Sequence, residues 1–478
     1  MNTQITAKIK SDEILTKITE TFDNEIYLVG GAVRDFLMGK SSLDRDLIVM
    51  DENAKDFALK VKGLFDAAFV PLDEENKIYR LVLPDKINYL DITNPIENSL
   101  EKDIMRRDLA INAIAVNLRT FEVVDMCGGI TDIKNHTLSL ISEHNFEDDP
   151  LRLLRVYRFQ AALGFELTSA TVHAVCSLAH LATKPAVERI NAEIIKLFGG
   201  KYADKALINM DKTWVLEEIF PFVKELKQVP PNTHHHLDLF HHSIETVKQI
   251  QLLYEEAPEE VKLHLDEVDF GGASRLAHLK LAGFMHDIGK FSTWTIEEDT
   301  GRHRFIKHDD VGAKLAAPIL KAMNFSNKQV NYVVSMIKNH IYPSQLMSAP
   351  EIDFSSSAGE KAMMRYIRKM DDNVIDNIIL AKADRLSARG EAITEEMVAN
   401  NLSNLDRLLA FYLRIRETLE PLPILLNGND VMKLLNIKPS RELGEIMDAL
   451  HEAQLSSEVT TKEEAESFVM ENFSSDKA

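Results

Sequence analysis

Apolar and polar positions divide the chain into a mixed front part and a helical remainder. From Ile26 to about Asn135, short apolar runs of strand length alternate with stretches whose apolar side chains recur at helical spacing. Ile26 to Val29 reads as a strand, Gly30-Gly31 as a tight turn, and Ala32 to Met38 as a helix; after Gly39, Leu43 to Val49 reads as a second strand. Ala67 to Tyr89 predicts a hairpin around the charged stretch Asp73 to Lys77, and Asn88 to Thr93 a further strand. Glu101 to Val116 has a charged start followed by the spacing of an amphipathic helix, and residues 1–25 predict one amphipathic helix with a short lead-in. Beyond Asp148 the pattern is almost wholly helical. It is broken by a Gly199-Gly200 turn, a Pro230-Pro231 linker and an acidic, loop-like insertion from Glu255 to Gly272. Thr394 to Ala478 predicts more amphipathic helices ending in a polar, frayed tail.

Composition narrows the class. A chain of 478 residues suits about three domains, and 45% hydrophobic content is enough for real cores. No apolar run is long enough to span a bilayer, and none reads as a signal peptide. Cys127 and Cys176 make no disulfide framework, so a reducing cytoplasm is expected. A net charge of -20 argues against indiscriminate nucleic-acid binding, which needs clustered Lys and Arg. Any RNA contact must come from a local basic groove on an acidic body, for which Arg152, Arg155, Arg158, Lys184, Arg189, Lys196, Lys201 and Lys205 are candidates.

Three clusters carry candidate chemistry. In the first, Gly30-Gly31 lets backbone approach a ligand, the new helix start offers N–H groups to a phosphate, and Arg34 adds a guanidinium fork. Asp44 and Asp46 follow at i, i+2, which on a strand puts both carboxylates on one face and Arg45 on the other. An isolated Asp-x-Asp is ordinary turn chemistry; after a strand, Gly-Gly, helix and second strand it reads as a clamp for magnesium, as in-line nucleotidyl transfer requires. In the second cluster, Asp148 or Asp149 caps a helix with Pro150 in its first turn, and Arg152, Arg155 and Arg158 form a cationic ridge beside an apolar face. The third is His242, His286-Asp287, His308, His340 and Asp384 on successive helices; imidazoles and carboxylates on facing helices make a site for a divalent transition metal.

The first two clusters resemble one family. Gly30-Gly31-Ala32-Val33-Arg34-Asp35, Leu37, Gly39 and Asp44-Arg45-Asp46 look like the head of class II tRNA nucleotidyltransferases, the CCA-adding enzymes, and of the related bacterial poly(A) polymerases. Arg106-Arg107-Asp108 with Asn112-Ala113 resembles the motif whose arginine and aspartate contact the ribose and phosphates. Asp125, Gly128, Gly129 and Asp132 look like the family's connecting turn. Asp148-Asp149-Pro150-Leu151-Arg152 resembles the motif E-D-x-x-R, in which protein side chains read the incoming base; here Asp148 stands where the family usually has Glu. By that match Asp149 and Arg152 read the base, Arg155 and Arg158 hold triphosphate, and Glu188 and Arg189 brace the site. In polymerase-beta-type heads a third carboxylate often arrives on a strand such as Asn88 to Thr93, so Asp91 is a further metal candidate, or simply a strand-end cap.

The histidine series resembles HD-type phosphohydrolases, which implies His242, His286, Asp287 and Asp384 as core ligands and His308 and His340 as ligands of a second metal. His234, His235, His236 and His241 match no role. The expected architecture is α+β: a small polymerase-beta-type head with a mixed sheet and helices, then an all-α neck, body and HD domain. The boundaries are an N-terminal helix at 1–25, the head at 26–135, the neck at 136–205, linker and body helices at 206–235, the HD domain at 236–390 and C-terminal helices and tail at 391–478. The resemblance implies addition of CCA to the tRNA 3′ end from CTP and ATP with magnesium, and a metal-dependent hydrolase besides. Poly(A) addition, addition of CC or A alone, an HD hydrolase with a silent head and an inactive tRNA-binding scaffold are the rivals; a basic C-terminal extension of the poly(A) type is absent. No membrane and no protein partner is expected.

Overall fold

The structure is a computed structural model and describes residues 2–268, 271–350, 352–419, 423–455 and 458–473. It divides into two compact units, Met1–Glu225 with Gly271–Ala273 and Ile319–Asn327, and Leu226–Phe270 with Ser274–Pro318 and Lys328–Ala478.

The first unit starts with two helices, α1 (Asn2–Ser11) and α2 (Glu13–Thr21), so the single helix expected over residues 1–25 is corrected. The break is chemical: the Asp12 carboxylate accepts from the N–H groups of Ile14 and Leu15 and caps α2. Ile5, Ile9, Leu15 and Ile18 form the buried stripe of the pair. A seven-stranded sheet follows, built from β1 (Ile26–Val29), β2 (Asp44–Val49), β3 (Ala68–Asp73), β4 (Ile78–Val82), β5 (Tyr89–Thr93), β6 (Ile114–Asn117) and β7 (Val123–Asp125). Its spatial order is β3-β4-β5-β2-β1-β6-β7, and β2 with β5 is the parallel pair in an otherwise antiparallel sheet. The helices of this region are α3 (Gly31–Leu37), α4 (Ala54–Phe65), α5 (Leu100–Met105) and α6 (Gly129–Asn135).

One expected helix is replaced by a strand. Glu101 to Val116 is α-helical only to Met105; after a 3-10 turn at Ala110–Asn112, Ile114–Asn117 becomes β6, buried at every position between β1 and β7. A strand apolar on both faces shows no alternation, and periodicity cannot separate it from a buried helix. Beyond the sheet come α7 (Glu143–Asp148), α8 (Leu151–Leu163), α9 (Ser169–Leu178) and α10 (Val187–Gly199), with shorter helices to Leu226. Thr137–Leu138 and Glu166–Leu167 add a small parallel pairing to this otherwise helical part.

The second unit is helical save for an antiparallel pairing of Trp294–Ile296 with His303–Phe305. The helix Leu239–Glu256 packs against Arg275–Met285 and Val374–Ser387, and all of Arg275–Met285 is buried. The loop expected from Glu255 to Gly272 is corrected: Glu259–Asp266 is a helix that buries Val261 and Leu265, while residues 269–270 lie outside the described residues. Helices Gly428–Leu435, Arg441–Leu455 and Lys462–Phe473 close on their own apolar cluster, including Val431, Ile446, Leu450 and Val469. The polar tail at 474–478 lies outside the described residues. Among those residues no helix is long and apolar enough to cross a membrane.

Candidate functional site

Sheet register assembles the first site. Asp46 lies opposite Val29 on β1 and opposite Asp91 on β5. Asp44, Asp46 and Asp91 bring carboxylate oxygens within 4.8 Å of one another. Burial, then the Asp44 charge, pushes Asp46 up to about 6, and burial followed by Asp91 raises Asp44. Asp91 is already held: Arg80 on β4 donates Nε to Oδ1 at 2.8 Å and Nη2 to Oδ2 at 2.7 Å. Arg45 points to the other face, where it pairs with Asp12 at 2.7 Å in buried surroundings. The crowded, hard oxygen donors fit a divalent cation such as magnesium.

Only one glycine of the pair is forced. Gly30 has φ +76°, and a Cβ there would stand 2.8 Å from Asp46 Oδ2 and 3.1 Å from Arg107 Nη1. At Gly31 a Cβ would meet nothing closer than Arg34 Nη2 at 3.6 Å. The helix after the turn has just seven residues, so nearby cationic side chains carry most of the positive field.

Those side chains line a cavity of about 520 Å³ that also holds Asp44 and Asp46. Arg34, Arg107, Asp108, Asp149, Arg152, Arg155 and Arg158, all expected from the sequence, open onto it together with Gly30 and Gly31. Asp108 is 4% exposed and accepts from Leu109 N at 2.8 Å, Asn112 Nδ2 at 3.1 Å and Arg155 Nε at 2.6 Å. Burial alone would raise its carboxyl, but Arg155, together with the hydrogen bonds from Asn112 and Leu109, holds it below the usual range. Asp108 therefore fixes Arg155 before it offers anything to a ribose. Asn112 Oδ1 accepts from Arg34 Nη1 at 2.7 Å, and Arg107 pairs with Asp103 at 3.1 Å.

Pro150 itself, rather than Asp148 or Asp149, stands at the start of α8. Asp149 Oδ1 lies 3.4 Å from Leu151 N, Arg189 on α10 donates to its Oδ2 at 2.9 Å, and Arg152 Nη1 donates to Asn145 O at 2.9 Å. Asp148 lies 3.6 Å from His144 and lines no part of the cavity.

The expected ligands His242, His286, His308, His340 and Asp384 gather around Asp287, which is 1% exposed. Its Oδ2 lies 3.1 Å from His286 Nε2 and 3.4 Å from His242 Nε2; its Oδ1 lies 3.3 Å from His308 Nε2 and 3.7 Å from His340 Nε2. Asp384 Oδ1 is 3.1 Å from His242 Nε2. The Nδ1 atoms of His286, His308 and His340 sit 2.7, 2.8 and 2.6 Å from the carbonyls of Gly283, Phe305 and Ile337. Donation to those carbonyls assigns the proton to Nδ1 and turns each Nε2 lone pair inward. Neither Asp287 oxygen has a well-directed hydrogen bond, although the Lys290 ammonium lies 2.6 Å from Oδ2. Burial opposes a charge on His286, yet Asp287 and Asp384 raise it to about 10, so a metal ligated by its Nε2 would displace a proton held there, whereas burial lowers His340 to about 4. A bridging carboxylate flanked by two groups of inward nitrogens fits two adjacent transition-metal ions.

Two residues of this centre had no assigned role in the sequence. His235 packs edge-on to His242 with centroids 4.8 Å apart, and burial followed by Lys290 lowers it to about 2. Lys290, at i+3 from Asp287, was legible from spacing. Both line a cavity of about 630 Å³ with His308, His340, Asp384, Arg302 and Arg385.

Comparison with known proteins decides the family. Residues 26–139 match the poly A polymerase head domain, 164–227 the probable RNA and SrmB-binding site of polymerase A, and 239–389 the HD domain. An A-adding tRNA nucleotidyltransferase from Deinococcus radiodurans is 32% identical over 92% of this chain and 94% of its own. The chain belongs to the tRNA nucleotidyltransferase family. A CC-adding tRNA nucleotidyltransferase from Thermus thermophilus is 31% identical, covering 93% of both chains. Among solved structures, a Thermotoga maritima CCA-adding enzyme complexed with tRNA shares the fold at TM-score 0.56 and 19% identity, over 98% of each chain. This tRNA nucleotidyltransferase thus has the α+β head and helical remainder that its sequence pattern implied.

Proposed function

We propose that this nucleotidyltransferase builds the CCA end of tRNA from CTP and ATP, and that residues 26–205 carry that chemistry. One observation supports the reading above the others: Asp44 and Asp46 open into the same cavity as Asp149 and the arginine ridge of α8. Asp44 and Asp46 would hold magnesium, which when bound would favour the alkoxide form of the attacking 3′-OH, its proton passing to solvent, and would offset charge on the leaving pyrophosphate. The tRNA 3′ oxygen attacks the α-phosphorus, the bond to the bridging oxygen of the β-phosphate breaks, and the rest is positioning. Arg34, Arg155 and Arg158 grip the triphosphate, and Arg107 and Asp108 border the sugar and phosphates. Asp149 accepts from the exocyclic amino group shared by cytosine and adenine, while Arg152 donates to their ring acceptors. Protein replaces a template strand.

The test is addition to a tRNA transcript lacking its final CCA, with CTP alone, ATP alone and both, in magnesium. Growth by three nucleotides with both supports the full reading, and no addition sinks it. A second reading, addition of only CC or only A, is favoured by the names of four relatives matched over more than nine-tenths of this chain, one A-adding and three CC-adding. A stop after CC, or a single A added only to a CC end, would establish it.

We further propose that residues 236–390 form a metal-dependent phosphohydrolase, with His242, His286, Asp287 and Asp384 holding one transition-metal ion and His308, His340 and Asp287 a second. A cytoplasmic site of action agrees with free Cys127 and Cys176.

A further inference from the structure

Phe159 belongs to no pattern singled out in the sequence, yet it lies in the middle of the arginine wall. It follows Arg158 on α8, lines the cavity and is 8% exposed. Three guanidinium groups surround its ring, with Arg158 4.0 Å, Arg34 5.1 Å and Arg155 5.5 Å from the centroid. Two come from α8 itself and one from α3. Each has its own carboxylate: Asp35 lies 2.9 Å from Arg34, Asp108 2.6 Å from Arg155, and Glu193 3.0 Å from Arg158. The ring is what the three have in common.

Like charges gathered in a small volume spread apart unless something between them is attractive to all. An aromatic face carries negative quadrupole density and draws cations within about 6 Å, while its bulk excludes the water that would screen and loosen them. We propose that Phe159 is a positioning residue for the triphosphate: its ring presets the spacing of Arg34, Arg155 and Arg158. The proposal rests on assigning those arginines to the triphosphate. A cluster already gathered loses little ordering entropy when the polyphosphate arrives, so affinity rises without any contact between ring and ligand. An aliphatic residue of similar bulk fills the space but offers the three guanidinium groups no common attraction, only their separate carboxylates.

The probe is inorganic tripolyphosphate, titrated calorimetrically into the full chain, alongside the KM and kcat of CTP and ATP in tRNA extension. Phe159→Leu is expected to weaken tripolyphosphate about tenfold, from the combined loss of three cation–ring contacts, with the change falling more on KM than on kcat. Phe159→Tyr, which keeps an electron-rich ring, restores most of the affinity. Since Phe159→Leu also alters packing, mono-, di- and trifluorinated phenylalanines at position 159 separate the two effects: they keep the ring's shape and drain its face of negative charge. Affinity falling stepwise with fluorination is the expected result. A flat fluorination series, or Phe159→Leu with unchanged affinity, overturns the proposal. Failure of the unsubstituted protein to bind tripolyphosphate would instead overturn the arginine assignment beneath it.

Discussion

The two sites solve the problem of concentrated charge in opposite ways. In the first unit most charges are answered, Asp91 by Arg80, Asp108 by Arg155 and Asp149 by Arg189, which leaves Asp44 and Asp46 crowded against each other at the cavity. In the second unit His242, His286, Asp287 and His340 are buried, and Asp287 is left without a well-directed hydrogen bond. A site whose charges are balanced by one another is ready to exchange ligands at each turnover. One whose lone pairs converge on a single buried carboxylate needs a resident cation. The contrast teaches that carboxylates alone do not say how tightly a metal is kept; their burial and their existing partners do.

The comparison breaks first at Asp46. Asp46→Ala should lower nucleotide addition by about a thousandfold or more, because positioning and charge neutralisation are most of the catalysis, and leave metal in the second unit untouched. Addition that survives this change, followed by gel extension of tRNA, would remove the head from the mechanism. Next comes His286→Ala, expected to strip bound transition metal and abolish phosphatase activity while tRNA extension stays within about twofold. Metal analysis by mass spectrometry with both assays checks it; loss of both activities would mean that His286 holds the fold. The smallest effect is at Asp149. Asp149→Ala should weaken the preference for CTP and ATP over UTP, which presents an acceptor where they present the exocyclic amino group, and cost about tenfold in kcat/KM, the loss of one charge-assisted hydrogen bond in the transition state. Unchanged selectivity in single-nucleotide kinetics would take templating away from that carboxylate.

Much of this was legible because strands and helices impose periods. Asp44 and Asp46 fall on one face at a spacing of two, and Arg152, Arg155 and Arg158 on one flank at a spacing of three. The histidine centre was readable as residue types, since imidazole with carboxylate on successive helices has few other uses. What escaped depended on pairing between distant segments. Arg80 meets Asp91 only because β4 lies antiparallel to β5 in that register. Ile114–Asn117 looked helical because burial on both faces erases alternation. Asp12 read as one more polar position in a helix until its carboxylate was seen to start a second one. Phe159 carried no signal at all, since a phenylalanine beside a helix's apolar face is ordinary until three guanidinium groups are found around it.

The Asp12–Arg45 pair has a consequence for how the chain is made. The two residues are separated by 33 positions, and Arg45 sits between the carboxylates Asp44 and Asp46. On the ribosome Asp12 is polymerised first, by roughly two to seven seconds at about 5–20 residues per second. The anion is therefore already synthesised when the second strand is released, and in the folded sheet the two acidic neighbours face away from the cation.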